Sequence, residues 1–243
     1  VLSFFGREAV SKVTTPIGAV LLRSGLTPDV VTVIGTIGTI AAALWLFPAG
    51  QLFWGALVIA LFVMFDMMDG AMARARGGGT KYGAVLDASC DRLADGAIFA
   101  GLGWWAVYAR EDRWLFVATM ICLVTSQVIS YVKARAEASG LSADGGWIER
   151  PDRLVIVLVG AGLTGLAFLL GIGWLEHAID VAMWPLAAAS IVTVFQRILA
   201  VRRSPGAREV IPKSAPADAA HDVGTTDGVH DVGTTDGEDR EGP

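Results

Sequence analysis

Hydrophobic residues in this chain come in long runs separated by short polar breaks. Six runs, at about 29–47, 52–73, 83–108, 114–132, 154–173 and 178–199, have the length of a helix that crosses a hydrocarbon core of about 30 Å. The breaks carry turn chemistry: Pro48-Ala49-Gly50, a loop from Arg74 to Tyr82 with Gly77-Gly78-Gly79, the polar turn Arg110–Arg113, a polar loop over 139–152, and a connection with Glu176 and His177. Leu26-Thr27-Pro28-Asp29 opens the first run as a helix start, with Thr27 as N-cap and Pro28 in the first position. Residues 3–24 differ. Phe4, Phe5, Val10, Val13, Ile17 and Leu21 alternate with Arg7, Glu8, Lys12 and Arg23. That mixture predicts an amphipathic helix on the membrane surface rather than a secretory leader. The pattern predicts an all-α integral membrane protein: six transmembrane helices preceded by a surface amphipathic helix, all within residues 1–203.

Composition supports the membrane class. The 243 residues are 53% hydrophobic, with a mean hydropathy of +0.55, whereas soluble domains hold about 45–50% apolar residues even with glycine counted. The net charge of −5 changes meaning once it is divided. Residues 204–243 contain nine acidic and three basic residues, leaving residues 1–203 close to neutral. The tail is rich in Pro, Gly, Asp and Thr and repeats HDVGTTDG at 221–228 and 230–237. It is predicted to be a disordered acidic segment, because it has too little apolar surface to offset ordering. Cys90 and Cys122 fall in apolar surroundings and read as small hydrophobes, with no disulfide or zinc pattern. No nucleic-acid partner is expected.

Charge also predicts orientation. Arg7, Lys12, Arg23, Arg74, Arg76, Lys81, Lys133, Arg135, Arg150, Arg153, Arg202 and Arg203 gather on one side of the six-span arrangement, with both termini, while the opposite loops carry Arg110 and Arg113. The positive-inside rule makes the basic side cytoplasmic, in the plasma membrane. Trp45, Trp54, Trp104, Trp105, Trp114 and Trp174 lie toward the other ends, as an interfacial aromatic belt would.

The candidate chemistry is in Asp66–Asp91. Asp66 and Asp69 are three residues apart, and Asp87 and Asp91 are four apart, so each pair shares a helix face. Both pairs sit at the cytoplasmic ends of adjacent spans. Four neighbouring carboxylates in a membrane repel one another and need a positive partner. Two Mg²⁺ or Mn²⁺ ions suit an all-oxygen ligand set, and a pair of divalent ions is a common device for displacement at phosphorus. Gly70 and Ala73 leave room for a substrate, Gly77–Gly79 and Gly83 permit a tight loop, and Arg74 can answer a phosphate.

These residues also carry a resemblance. Asp66-x2-Asp69-Gly70-x2-Ala73-Arg74-x8-Gly83-x3-Asp87-x3-Asp91 matches the signature of the CDP-alcohol phosphotransferases at every position. That resemblance implies a six-span homodimer that transfers a substituted phosphate from a CDP-linked donor to an alcohol and releases CMP. It implies one metal on Asp66, Asp69 and Asp87, a second on Asp66, Asp87 and Asp91, and Asp91 as the base for the attacking hydroxyl. It further implies that Gly70, Arg74 and Thr80 contact the CDP group, and that Asp29, Val30, Val31 and Thr32 close over the nucleotide.

A second, basic set concerns the acceptor: Lys133, Arg135, Arg153 and Arg197, with Arg150 nearby. Arginine forks hold phosphate well, so the acceptor is predicted to be phosphorylated already. Ser126–Gly140 and Glu149–Arg153 are similar to the prokaryotic phosphatidylinositol-phosphate synthases. This likeness implies CDP-diacylglycerol as donor and 1D-myo-inositol 3-phosphate as acceptor, held by Lys133, Arg135, Arg153 and Arg197. Three other readings stay open on sequence: a phosphatidylglycerophosphate synthase using glycerol 3-phosphate, a membrane prenyltransferase, and a metal transporter.

Overall fold

The computed structural model describes residues 25–210. The expected surface helix over 3–24, and residues 211–243 of the expected tail over 204–243, lie outside the described residues. Among the described residues there are six long helices: α1 Pro28–Leu46, α2 Leu52–Ala75, α3 Lys81–Tyr108, α4 Arg113–Ala138, α5 Arg150–Leu170 and α6 Ala178–Arg203, with a 3₁₀ turn at Gly173–His177 before α6. No strand occurs among the described residues. The chain is a multi-pass membrane protein. Among the described residues, five helices are long and apolar enough to cross a membrane. The sixth, α3, is the longest at 28 residues, and its first half spends its hydropathy on Asp87, Asp91, Arg92 and Asp95.

The helices close a ring. α1 packs between α2 and α3, α4 between α3 and α6, and α5 between α6 and α2. The two acid-bearing helices, α2 and α3, make no extended contact with each other; both lean on α1. Small residues allow the tightest approaches. A methyl group at Gly101 of α3 would overlap the Ala43 carbonyl of α1, and one at Gly165 of α5 would overlap the Phe53 backbone of α2. Ala161 on the same helix is fully buried. These two α5 residues therefore serve packing within the chain, as small residues do between membrane helices.

The ring is asymmetric along its length. Phe47, Leu52, Leu102, Trp105, Leu115 and Met183 fill one end with apolar side chains. The other end gathers the start of α1, the end of α2, the start of α3, the end of α4, the start of α5 and the end of α6, and its interior is polar. Of the tryptophans expected in a belt, Trp45, Trp54, Trp104, Trp114 and Trp174 are exposed, but Trp105 is buried. Arg110 accounts for the exception: its guanidinium sits 5.6 Å from the Trp105 ring centroid and pairs with Asp180 at 2.6 Å. That tie pins the end of α3 to the start of α6.

Several helices outrun their apolar segments. α4 reaches Ala138, and α6 reaches Arg203. α5 begins at Arg150, inside the expected loop, because Asp152 turns back to accept the Glu149 amide at 3.3 Å and Pro151 fits the first turn. Arg150 and Arg153 thereby become neighbours on one helical face rather than a loop residue and a helix residue.

Candidate active site

Three helix ends build the acidic part of the site. The α1 start is capped as expected, with Thr27 Oγ1 accepting from the Val30 amide at 3.4 Å. α3 starts in the same way, Thr80 Oγ1 accepting from the Gly83 amide at 2.9 Å. Between α2 and α3 the chain passes through Gly77 and Gly78 at φ of +91° and +143°, backbone conformations that favour glycine. That tight passage sets the end of α2 beside the start of α3.

Asp66, Asp69 and Asp87 each bring a carboxylate oxygen to within 4.8 Å of the others. Thr32 donates its hydroxyl to Asp69, and the Gly70 amide also donates to Asp69. Asp66 lies against Gly35 of α1, where a Cβ would come within 3.1 Å of the Asp66 Cβ. Its Oδ1 is buried with no hydrogen-bond partner. An orphaned buried carboxylate oxygen beside two more carboxylates is costly unless a cation joins them, and oxygen-only donors fit Mg²⁺ or Mn²⁺. The residues present therefore fit a divalent ion.

Asp91 stands apart from this trio. One turn beyond Asp87 on α3, it pairs through Oδ1 with Arg150 Nη1 at 2.8 Å, and through Oδ2 with Arg92 at 3.7 Å.

Two cavities flank the acids. The first, of about 340 Å³, is lined by Thr27, Asp29, Thr32, Asp69, Gly70, Thr80 and Asp87, together with Arg76, Gly79 and Gly83. Of the residues expected around the CDP group, Asp29, Thr32, Gly70 and Thr80 line it. Val31 is buried in the packing of α1, and Val30 is exposed on its outside. Arg74 is exposed at the end of α2, with Nη1 3.4 Å from where a Gly70 Cβ would stand. Arg76, read on sequence only as part of the basic side, lines the cavity and donates to the Leu26 carbonyl at 3.3 Å.

The second cavity is larger, about 770 Å³, and its lining includes Asp87, Asp91, Arg92, Lys133, Arg150, Arg153 and Arg197. Arg153 is 2% exposed and Arg197 is 8% exposed. Both Nη atoms of Arg153 and the Nε of Arg197 are buried without hydrogen-bond partners. Buried guanidinium groups with free donors call for an anion. Lys133, half exposed, reaches Glu137 at 3.9 Å. Arg135 lies elsewhere, in a shallower depression with Tyr131, Leu141 and Ile198 on the outside of α4 and α6.

Two residues here were not singled out on sequence: Arg92, which lines the cavity, and Asp95, which lies behind its arginines. Asp95 is 1% exposed and meets Arg150 Nε at 3.2 Å, Arg153 at 3.7 Å and Arg92 at 3.9 Å. A signal existed: Asp87, Asp91 and Asp95 repeat at four-residue steps along one helix face, whereas the signature stops at the second.

The ring of membrane helices thus holds a metal-fitting acid cluster between two cavities that both carry charged side chains. The chain matches the CDP-alcohol phosphatidyltransferase family over residues 25–201 and belongs to that family. Among its relatives, the phosphatidylinositol phosphate synthase of Mycobacteroides abscessus is 60% identical over 220 residues, covering 90% of this chain and 96% of that protein. The enzyme of the same name from Mycolicibacterium smegmatis is 62% identical over 203 residues, covering 84% and 90%. Among solved structures, Mycobacterium tuberculosis phosphatidylinositol phosphate synthase (PgsA1) with CDP-DAG bound is 58% identical, with a TM-score of 0.76, covering 82% of this chain and 98% of that one. The same enzyme in complex with manganese and citrate is 61% identical, with a TM-score of 0.77 and coverage of 82% and 93%.

Proposed function

We propose that this chain is a phosphatidylinositol phosphate synthase that joins CDP-diacylglycerol to 1D-myo-inositol 3-phosphate and releases CMP. One observation carries the reading: Asp87 lines both cavities. A donor in the smaller cavity and a phosphorylated acceptor in the larger one therefore meet at one carboxylate cluster. The names of the relatives support the same donor and the same class of acceptor.

In this reading Asp29, Thr32, Gly70 and Thr80 receive the CDP group, with the free amides of the α1 start turned to the polar ligand, and Arg74 reaches in from the end of α2. Arg153, Arg197 and Lys133 hold the acceptor phosphate, joined by Arg150. The acceptor hydroxyl forms a bond to the phosphorus that carries diacylglycerol. The bond from that phosphorus to the CMP oxygen breaks, and the hydroxyl proton passes to Asp91. Asp66, Asp69 and Asp87 would hold one Mg²⁺, and Asp66, Asp87 and Asp91 a second. Divalent ions there supply positive charge opposite the oxygens on which negative charge grows. Arg150 answers the charge of Asp91 until an acceptor phosphate competes for the guanidinium.

Orientation follows the basic side. The ring end with both cavities faces the cytoplasm, where a water-soluble acceptor arrives, and the enzyme sits in the plasma membrane as the homodimer that the family resemblance implies.

The deciding experiment is CMP release by the purified protein from CDP-diacylglycerol and Mg²⁺, with inositol 3-phosphate or glycerol 3-phosphate as acceptor. Turnover with the inositol phosphate is expected. Turnover with glycerol 3-phosphate alone would reject the acceptor.

A further inference from the structure

We infer that Asp95 is the positioning residue of the acceptor cavity, aiming the Arg150 and Arg153 guanidinium groups at the acceptor phosphate. The inference rests on the acceptor reading above, though only on the acceptor carrying a phosphate.

Asp95 is almost fully buried, one turn past Asp91 on α3, and it touches no predicted metal position. Its two oxygens are divided between functions. Oδ1 holds Arg150 through Nε at 3.2 Å, leaving Nη1 of that arginine on Asp91 at 2.8 Å. Oδ2 stands 3.7 Å from Arg153 Nη2 and 3.9 Å from Arg92. Asp95 is thus the carboxylate that joins α3 to both arginines on the first turn of α5. Arg153 gains a counter-charge but no hydrogen bond from it. Its donors stay free for a ligand while its charge is compensated from behind.

A guanidinium recognises phosphate through a planar fork, so its value depends on angle as much as on charge. Without Asp95, Arg150 retains Asp91 alone, and Arg153 has no carboxylate behind it. Both forks then lose their aim.

This role has a signature opposite to that of simple charge. Asp95→Asn makes the cavity one unit more positive, so an effect through net charge would tighten binding of any phosphate. An effect through aim weakens it. The measurement is steady-state CMP release by the full-length protein, with KM resolved for donor and for whichever phosphorylated acceptor the wild type uses. Mn²⁺ binding is followed by electron paramagnetic resonance. For Asp95→Asn the acceptor KM is expected to rise about tenfold, with donor KM and Mn²⁺ affinity within about twofold of wild type. Asp95→Glu keeps the charge but displaces it by one methylene, and should fall between the two. Because it retains the counter-ion, it remains informative if Asp95→Asn does not fold.

An acceptor KM that stays the same or falls in either folded variant would overturn the inference. A parallel rise in acceptor KM and donor KM, with a fall in Mn²⁺ affinity, would overturn it too, as the mark of a merely structural residue. Failure of the acceptor assignment is seen elsewhere, in which acceptor the wild type turns over.

Discussion

The two cavities that meet at Asp87 are built by opposite means. The smaller one is made of helix starts and glycines: Thr27 and Thr80 cap α1 and α3, and Gly70, Gly79 and Gly83 keep its walls thin. The larger one is made of long charged side chains, with Arg92, Arg150 and Arg153 grouped around Asp95. Backbone amides and small residues suit a ligand that brings its own phosphates to a metal-fitting site. Fixed guanidinium groups suit a small, mobile anion that must be caught from water and held at one angle. The difference teaches where each substrate's binding energy comes from, and it predicts that changes to one wall leave the other substrate's KM alone.

The strongest test is the residue common to both cavities. Asp87→Asn should lower CMP release about a thousandfold and weaken Mn²⁺ binding measured by electron paramagnetic resonance. An active variant with ordinary Mn²⁺ affinity would separate the cavities from the metal-fitting cluster.

Arg153→Ala comes next. It removes a buried fork whose two Nη atoms have no hydrogen-bond partner within the protein. Loss of a buried charged partner costs about 2 kcal/mol or more, so the acceptor KM should rise roughly thirtyfold, with the donor KM unchanged. A donor KM that rises in step would mean that the walls are not independent.

How much of this was legible in the sequence depends on the range of the contacts. The helices were, because apolar runs of this length have few other uses and the turns between them carry Pro and Gly. The acid pairs were, because three- and four-residue spacings fix a shared face. Pairings between distant helices were not. Nothing local says that Gly165 meets Phe53, since a small residue permits close approach without naming a neighbour. Arg150 was read as a loop residue for a similar reason. Its place depends on the Glu149–Asp152 turn and on an aspartate on another helix, Asp95. Asp95 itself was hidden as a third acid on a helix face whose other two already had a use.

A smaller effect belongs to the donor wall. A Cβ at Gly83 would stand 3.1 Å from both Asp29 Oδ1 and Thr80 Oγ1. Gly83→Ala therefore pushes two lining groups apart and loosens the α3 cap. The expected result is a roughly threefold rise in donor KM, the scale of a partly lost cap, with no change for the acceptor. A shift confined to the acceptor would reverse the assignment of the two cavities.

The smallest effect is expected at Arg135, and it separates two explanations of the basic cluster. On sequence Arg135 stands with Lys133, Arg153 and Arg197 as a phosphate contact. In the fold, Lys133 lines the large cavity while Arg135, two residues on, turns away to the shallow depression beside Ile198. Two residues along a helix amount to about 200° of rotation, so neighbours in the sequence face opposite ways. If the acceptor is caught by aimed forks, Arg135→Ala should leave its KM within about twofold, as surface charges away from a site do. If the whole basic end acts through its summed potential, Arg135→Ala should raise the acceptor KM as much as Lys133→Ala does, and both effects should fade with added salt. Comparing the two alanine variants at low and high ionic strength tells aim from potential.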